Sequence, residues 1–194
     1  MKTSQLRKVL FEDEPTYRDR HAYSGLAPRL RKFYRTVEDD IGYWWGERHE
    51  WSSVNKVYDG IWIGNAESAT DPQFLGDNNI QATLNMAIEI TYYSAKNINL
   101  TKLGIHDGEL APDGVYEKAA LAIHDARSRG ENILVHCAAG ISRSVTAVIA
   151  YLMLYEKIGY WNALDLIRQG RRQACPHPLL VRSLIRDFGS RFLQ

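Results

Sequence analysis

The chain has 194 residues, 45% of them hydrophobic, enough for one sizeable core with room for an extension. Its formal net charge is +1, so no global field draws it to nucleic acid or to an anionic membrane. No run of about 18 apolar residues is there to span a bilayer, two cysteines make no disulfide framework, and the charged opening, residues 1–15, lacks the apolar stretch of a signal peptide.

The expected setting is a reducing one, cytoplasmic or nuclear. Residues 1–25 mix charge with aromatics, show no periodicity and read as an arm. From Pro28 onward Leu30, Phe33, Val37, Ile41 and Trp44 recur at steps of three or four among charged residues. That spacing predicts an amphipathic helix with Pro28 in its first turn. Its polar face carries both charge signs, which favours docking on the core over a membrane or a partner. Trp44, Trp45 and Trp51 crowd its end and are expected to be largely buried. Residues 1–54 are therefore assigned to an N-terminal extension and 55–194 to the main domain.

That domain opens with two short β-prone runs about Asp59-Gly60, a strong hairpin signal. Asp71-Pro72 then starts a short helix to Asp77. Strands follow at 80–86 and 97–105. His106 to Pro112 is a loop carrying Asp107 and Glu109, because Gly108 and Pro112 interrupt regular structure. A helix over 115–128 turns Val115, Ala119, Ala120 and Ile123 inward and ends at Gly130. Ile133, Leu134 and Val135 form a buried strand, a small-residue loop follows, and a long apolar helix begins at Arg143. This βαβα order implies an α/β fold with a central, mostly parallel twisted sheet flanked by helices, its active loops at the strands' carboxyl ends. Beyond it, Gly159 to Asn162 reads as a turn, 163–171 as a helix broken at Cys175-Pro176-His177-Pro178, and 179–192 as a last helix with Leu180, Leu184, Ile185 and Phe188 on one side. From Arg168 onward six arginines face one aspartate. Such charge reads as a solvated face, with attraction for an acidic substrate as the other reading.

The loop from Cys137 to Arg143 is where chemistry concentrates. It opens onto a helix N-terminus, so the backbone N–H groups of Ala138 to Arg143 can turn inward and hold an anion. Gly140 lets the backbone turn, and Ala138 and Ala139 leave room for a ligand. Inward donors and positive charge favour a thiolate, so Cys137 is expected in that form at neutral pH. Arg143, six positions on, offers a planar fork for two oxygens of a tetrahedral phosphate. A buried core thiol is the bland alternative, and it leaves His136, Gly140, Arg143 and Ser144 unexplained. No histidine has partner spacing that suggests a metal site, and no cofactor is expected.

The segment HCAAGISRS resembles the HCxxGxxRS signature of the cysteine-dependent protein phosphatases, and AGISRS followed by AVIAYLM is most similar to the small dual-specificity branch. Ile63-Gly64-Asn65-Ala66 and Leu84-Asn85 resemble features of the same domain, so the likeness runs from about Asn55 to Phe188. It implies a protein tyrosine phosphatase-like fold and metal-free hydrolysis of phosphoesters. Cys137 would be the nucleophile, giving a phosphocysteine. The loop Ala138, Ala139, Gly140, Ile141, Ser142 and Arg143 would bind phosphate. Ser144 would donate to the sulfur, or alternatively cap the helix. Asp107, 30 positions before Cys137, stands where the family carries its general acid. Glu109 is the runner-up acid, and Asp113 a third better read as a helix N-cap. His136 points away from the cup and is expected to hydrogen-bond the loop, as is Asn85. The neutral residues between Cys137 and Arg143 favour a phosphorylated protein side chain, phosphotyrosine or phosphoserine/threonine. The alternatives are a phosphatase of an RNA 5′ phosphate, a phosphoinositide or a phosphoglucan, and a module that binds phosphate without cleaving it. One departure stands out: the family's Pro-Asn after a late arginine is here Ala174-Cys175-Pro176-His177-Pro178, which leaves the docking of the C-terminal part open.

Overall fold

The computed structural model describes residues 52–91 and 97–189. The expected arm, the amphipathic helix from Pro28 and the three crowded tryptophans lie outside the described residues. The hairpin forms as its turn residues dictate: β1 (Val54–Tyr58) pairs antiparallel with β2 (Ile61–Gly64) across Asp59-Gly60, with Gly60 at φ +63°, a conformation that favours glycine. Asp71 caps α1 (Pro72–Asp77), accepting from the N–H groups of Gln73 and Phe74. β3 (Ile80–Ala87) is buried along nearly its whole length, as fits a strand covered on both faces. β4 (Asn99–Ile105) is an edge strand whose first half is exposed. α2 (Val115–Ser128), β5 (Asn132–His136), α3 (Arg143–Leu154), α4 (Tyr160–Gly170) and α5 (Pro178–Phe188) complete the order.

The sheet runs β1-β2-β5-β3-β4, antiparallel only at the first pair. Leu134 of β5 joins Ala69, Leu75 and Ile80 on the face covered by α1. By strand alternation Ile133 and Val135 point to the other face, where the helices gather. α3 is the central one: every residue from Arg143 to Met153 is buried, and it packs on α2, α4, α5 and the sheet. Among the described residues no helix is long and apolar enough to cross a membrane.

Two expectations change. Residues 160–162 are not a turn but the first turn of α4, with Gly159 in extended backbone as its N-cap. Tyr160 is buried at the start of that helix, so packing outweighs the turn-like Gly159. The C-terminal arginines are not one solvated face either: Arg171 and Arg182 are buried.

Because β2, β5, β3 and β4 are parallel, their carboxyl ends lie along one edge. That edge brings together the loops after Gly64, His136, Ala87 and Ile105, the place where open parallel sheets hold their ligands.

Candidate active site

The loop from Cys137 to Ser142 is an inverted cup, and its carbonyls show how it is held. The oxygen of Ala138 accepts from Ala66 N at 3.0 Å, that of Ala139 from Arg171 Nη2 at 3.2 Å, and that of Gly140 from Arg171 Nε at 2.7 Å. The oxygen of Ile141 accepts from Cys175 N at 2.8 Å, and that of Ser142 from Thr146 N at 2.9 Å. Each carbonyl from 138 to 142 is thus tied to the surrounding scaffold. In a trans peptide the following N–H points the opposite way, and no peptide bond among the described residues is cis. The N–H groups of residues 139 to 143 therefore turn away from the scaffold, and Gly140 N donates to Cys137 Sγ at 3.2 Å. Gly140 has φ +71°, and a Cβ there would lie 2.6 Å from Gly64 O and 2.7 Å from Arg171 Nη2. Glycine is required on both counts. Ala138 and Ala139 are exposed at the rim.

Ser144 Oγ lies 3.4 Å from Cys137 Sγ, so the sulfur has two polar neighbours rather than a hydrocarbon shell. Ser144 does not cap α3. Ser142 holds that position, and its hydroxyl accepts from His177 N at 3.0 Å, anchoring the start of α5 to the cup. The Cys175–Pro178 segment, whose docking the sequence left open, is therefore fastened to the loop at Ile141 O and Ser142 Oγ.

Arg143 is only 2% exposed and is turned inward. Its end-on edge is bidentate on Glu89, Nη1 to Oε2 at 2.7 Å and Nη2 to Oε1 at 2.6 Å. The remaining Nη1 hydrogen goes to Ile105 O at 3.1 Å. A guanidinium has five N–H donors in a fixed plane, so the parallel pair on the Nε/Nη2 edge is left. Among the described residues Nε is buried without a hydrogen-bond acceptor; a carboxylate oxygen, Asp107 Oδ2, is 3.7 Å away. A buried donor without a partner is costly, and this edge has the spacing of two oxygens of a tetrahedral anion. Glu89 is 47% exposed, and the hydrogen bond from Arg143 holds its carboxyl below the usual carboxylate range despite partial burial.

Of the three expected acids, Asp107 comes to the site. It lies just past β4, 51% exposed, with Oδ1 accepting from Gly108 N and Oδ2 facing Arg143. Glu109 is exposed on the same loop. Asp113 is paired with Arg186 at 2.9 Å, and it is not the cap of α2: Gly114, at φ +69°, holds that position without a side-chain bond.

His136 is buried on β5 and hydrogen-bonds the Cys137 backbone. Burial depresses its pKa to about 4, so it is neutral at physiological pH. Asn85 pairs in register with His136, but its side chain braces a different loop from the one expected. Oδ1 accepts from Ala87 N at 2.8 Å and Nδ2 donates to Ile90 O at 3.0 Å. It thereby shapes the turn that presents Glu89, so its link to the cup runs through Arg143.

Sequence reasoning missed Glu89 and Arg171. Glu89 sits just after a strand ending at the edge that carries the Cys137 loop, a position that could have marked it. Arg171 stands a few residues before the Cys-Pro-His-Pro break, and its burial is a matter of tertiary packing that no local pattern announces.

Residues 61–188 match the dual specificity phosphatase catalytic domain. Dual specificity protein phosphatase 15 of Mus musculus is 34% identical over 139 residues, 71% of this chain and 58% of that protein. Dual specificity protein phosphatase 22 of Homo sapiens is 34% identical over 138 residues, 69% of this chain and 72% of that protein. Among solved structures, DUSP15 matches with a TM-score of 0.65 at 31% identity, over 71% of this chain and 89% of that one. Human DUSP28 matches at 0.64 and 22% identity, over 70% and 92%, a likeness of fold. The chain spans 58% of the length of the phosphatase 15 sequences it matches. On the matched domain and the shared identity, the chain belongs to the dual specificity phosphatase family.

Proposed function

We propose that the protein hydrolyses phosphotyrosine and phosphoserine/threonine in protein substrates through a phosphocysteine. The observation that carries this reading is the pairing of Cys137 Sγ, held by Gly140 N and Ser144 Oγ, with the free Nε/Nη2 edge of Arg143. The sulfur attacks phosphorus in line while the loop N–H groups and Arg143 hold the equatorial oxygens. The phosphorus–oxygen bond to the substrate breaks, and Asp107 protonates the leaving oxygen, a contribution of roughly 10²–10⁴ in rate. Water then attacks the phosphocysteine and gives its proton to Asp107. The sulfur leaves as a thiolate, eased by the Ser144 hydroxyl.

Two features support a protein side chain as substrate. Ala138 and Ala139 give the rim small side chains that admit residues of different length. Glu89 and Asp107 add negative charge beside the cup, which disfavours polyphosphates and phosphoinositides. A reducing intracellular compartment is the setting that keeps such a thiol active.

A panel of phosphotyrosine and phosphoserine/threonine peptides, with RNA 5′ phosphate and phosphoinositide arms, tests the assignment with and without vanadate and a chelator. Turnover of both peptide classes, lost with vanadate and indifferent to chelator, is expected. Cys137→Ser should abolish turnover while retaining binding. Preference for a non-peptide arm would overturn the substrate class, and turnover surviving in Cys137→Ser would overturn the mechanism.

A further inference from the structure

Arg171 is a guanidinium 1% exposed, placed behind the loop rather than inside it. Among the described residues its hydrogen-bond acceptors are all neutral: Gly140 O, Ala139 O, Ser52 O at 3.2 Å and Asn55 Oδ1 at 2.7 Å. Among the described residues no carboxylate forms an ion pair with it. Arg143 differs, because its charge is matched by Glu89 at 2.6 Å with Asp107 at 3.7 Å. A buried charge without a counter-charge is expensive, and the group across the loop that could carry a matching negative charge is Cys137.

We propose that Arg171 is a positioning residue with two effects on Cys137: it ties the carbonyls of Ala139 and Gly140 outward so that the cup's N–H groups face the sulfur, and it supplies the uncompensated positive charge that favours the thiolate. Arg143 then contributes the fork for the phosphoryl oxygens, and Arg171 the charge behind the amides. Desolvation lowers the Arg171 pKa to about 10 and the Cys137 charge acts against that trend, so the guanidinium remains charged at neutral pH. The inference deepens the phosphatase reading and rests on it for its biological meaning, although the test needs no phosphoester.

Alkylation of the full chain by iodoacetamide between pH 4 and 9, read at Cys137 by mass spectrometry, gives the pH midpoint of thiol reactivity. Arg171→Met removes the charge and the ties. Asn55→Asp keeps an oxygen acceptor beside Nη1 and adds a counter-charge, leaving the ties to Ala139 and Gly140 in place. The midpoint should rise by roughly one pH unit in both variants, the lower end of what a nearby opposite charge produces, so that alkylation at a pH well below the parent midpoint slows about tenfold. Arg171→Lys, with charge but no fork, should fall between these and the parent chain. Circular dichroism melts establish folding, and if Arg171→Met does not fold, Asn55→Asp decides alone. A parental midpoint in folded Asn55→Asp overturns the inference. A shifted midpoint in a chain that turns over no phosphopeptide would sustain it and sink the phosphatase reading instead.

Discussion

The two arginines on either side of the Cys137–Ser142 loop are almost equally buried, yet they are partnered in opposite ways. Arg143, inside the cup, is bonded to Glu89 and faces Asp107, carboxylates that are 47% and 51% exposed. Arg171, outside it, bonds among the described residues four neutral acceptors, three of them backbone carbonyls. The difference separates two tasks. An anion must enter and leave on the inner side, so the inner arginine is steered by groups that solvent can reach, and its charge is partly offset while its fork stays open. The outer side never exchanges a partner, so it can be built from fixed dipoles. Inner changes should therefore alter turnover at nearly constant stability, whereas outer changes should alter both.

The largest effect expected is from Arg143→Lys. A lysine is a single point charge and cannot span Glu89 with one edge and two phosphoryl oxygens with another. Loss of the paired donors should lower kcat/KM by roughly 10³-fold, about 4 kcal/mol. A fall of less than tenfold would mean that the fork is not what holds the phosphoryl group.

On the outer side the next effect is on stability. His136 is neutral in the fold with a pKa of about 4, against 6.5 in the unfolded chain. Below pH 6.5 the unfolded state takes up a proton that the native state refuses, so stability is complete above that pH and falls as pH drops toward about 4. The loss approaches about 3 kcal/mol at 1.36 kcal/mol per pKa unit. Urea unfolding at pH 7 and pH 4.5 measures it, and His136→Gln should remove most of the difference. Gly140→Ala comes next. Its Cβ would collide with Gly64 O and Arg171 Nη2 at a positive φ, so about 2 kcal/mol of stability should go, together with activity. Activity lost at an unchanged melting temperature would show that the outer side is not the rigid one.

The same contrast explains what the sequence could and could not disclose. The cup was legible because its parts are contiguous: a buried strand, HCAAGISRS and an apolar helix state their own geometry. The hairpin at Asp59-Gly60 and the helix behind Asp71-Pro72 were legible for the same reason, each being fixed by two adjacent residues. Glu89 was not, because it meets Arg143 across 54 positions from an exposed loop with no periodicity. Arg171 was hidden differently. Counted among six arginines it looked like surface charge, and the acceptors that give it a reason to be buried lie 31 positions away in the loop and 116 positions away at Asn55. Asp113 misled because an acid just before a helix is a good cap by rule, while the chain here turns at Gly114 and gives the carboxylate to Arg186.

The smallest effect, and the one that most sharpens the contrast, is that of Glu89→Gln. As a brace, Glu89 holds the end-on edge of Arg143 so that the Nε/Nη2 edge faces the anion. As a competitor, it would occupy donors that the phosphoryl group needs. Glutamine keeps one acceptor and loses the charge, so a brace predicts kcat/KM reduced by roughly tenfold, about 1.4 kcal/mol, whereas a competitor predicts an increase. Stability should fall modestly: Glu89 is 47% exposed, but Arg143, 2% exposed, loses the charge of its bidentate partner. The pH dependence gives a second reading of the same point. The hydrogen bond from Arg143 lowers the Glu89 pKa below its ordinary 4.5, so the brace is complete through neutral and weakly acidic pH and is lost only as pH falls through that lowered value. An acidic step in kcat/KM below pH 4.5 that disappears in Glu89→Gln would place the carboxylate on the inner side as a working part of the fork.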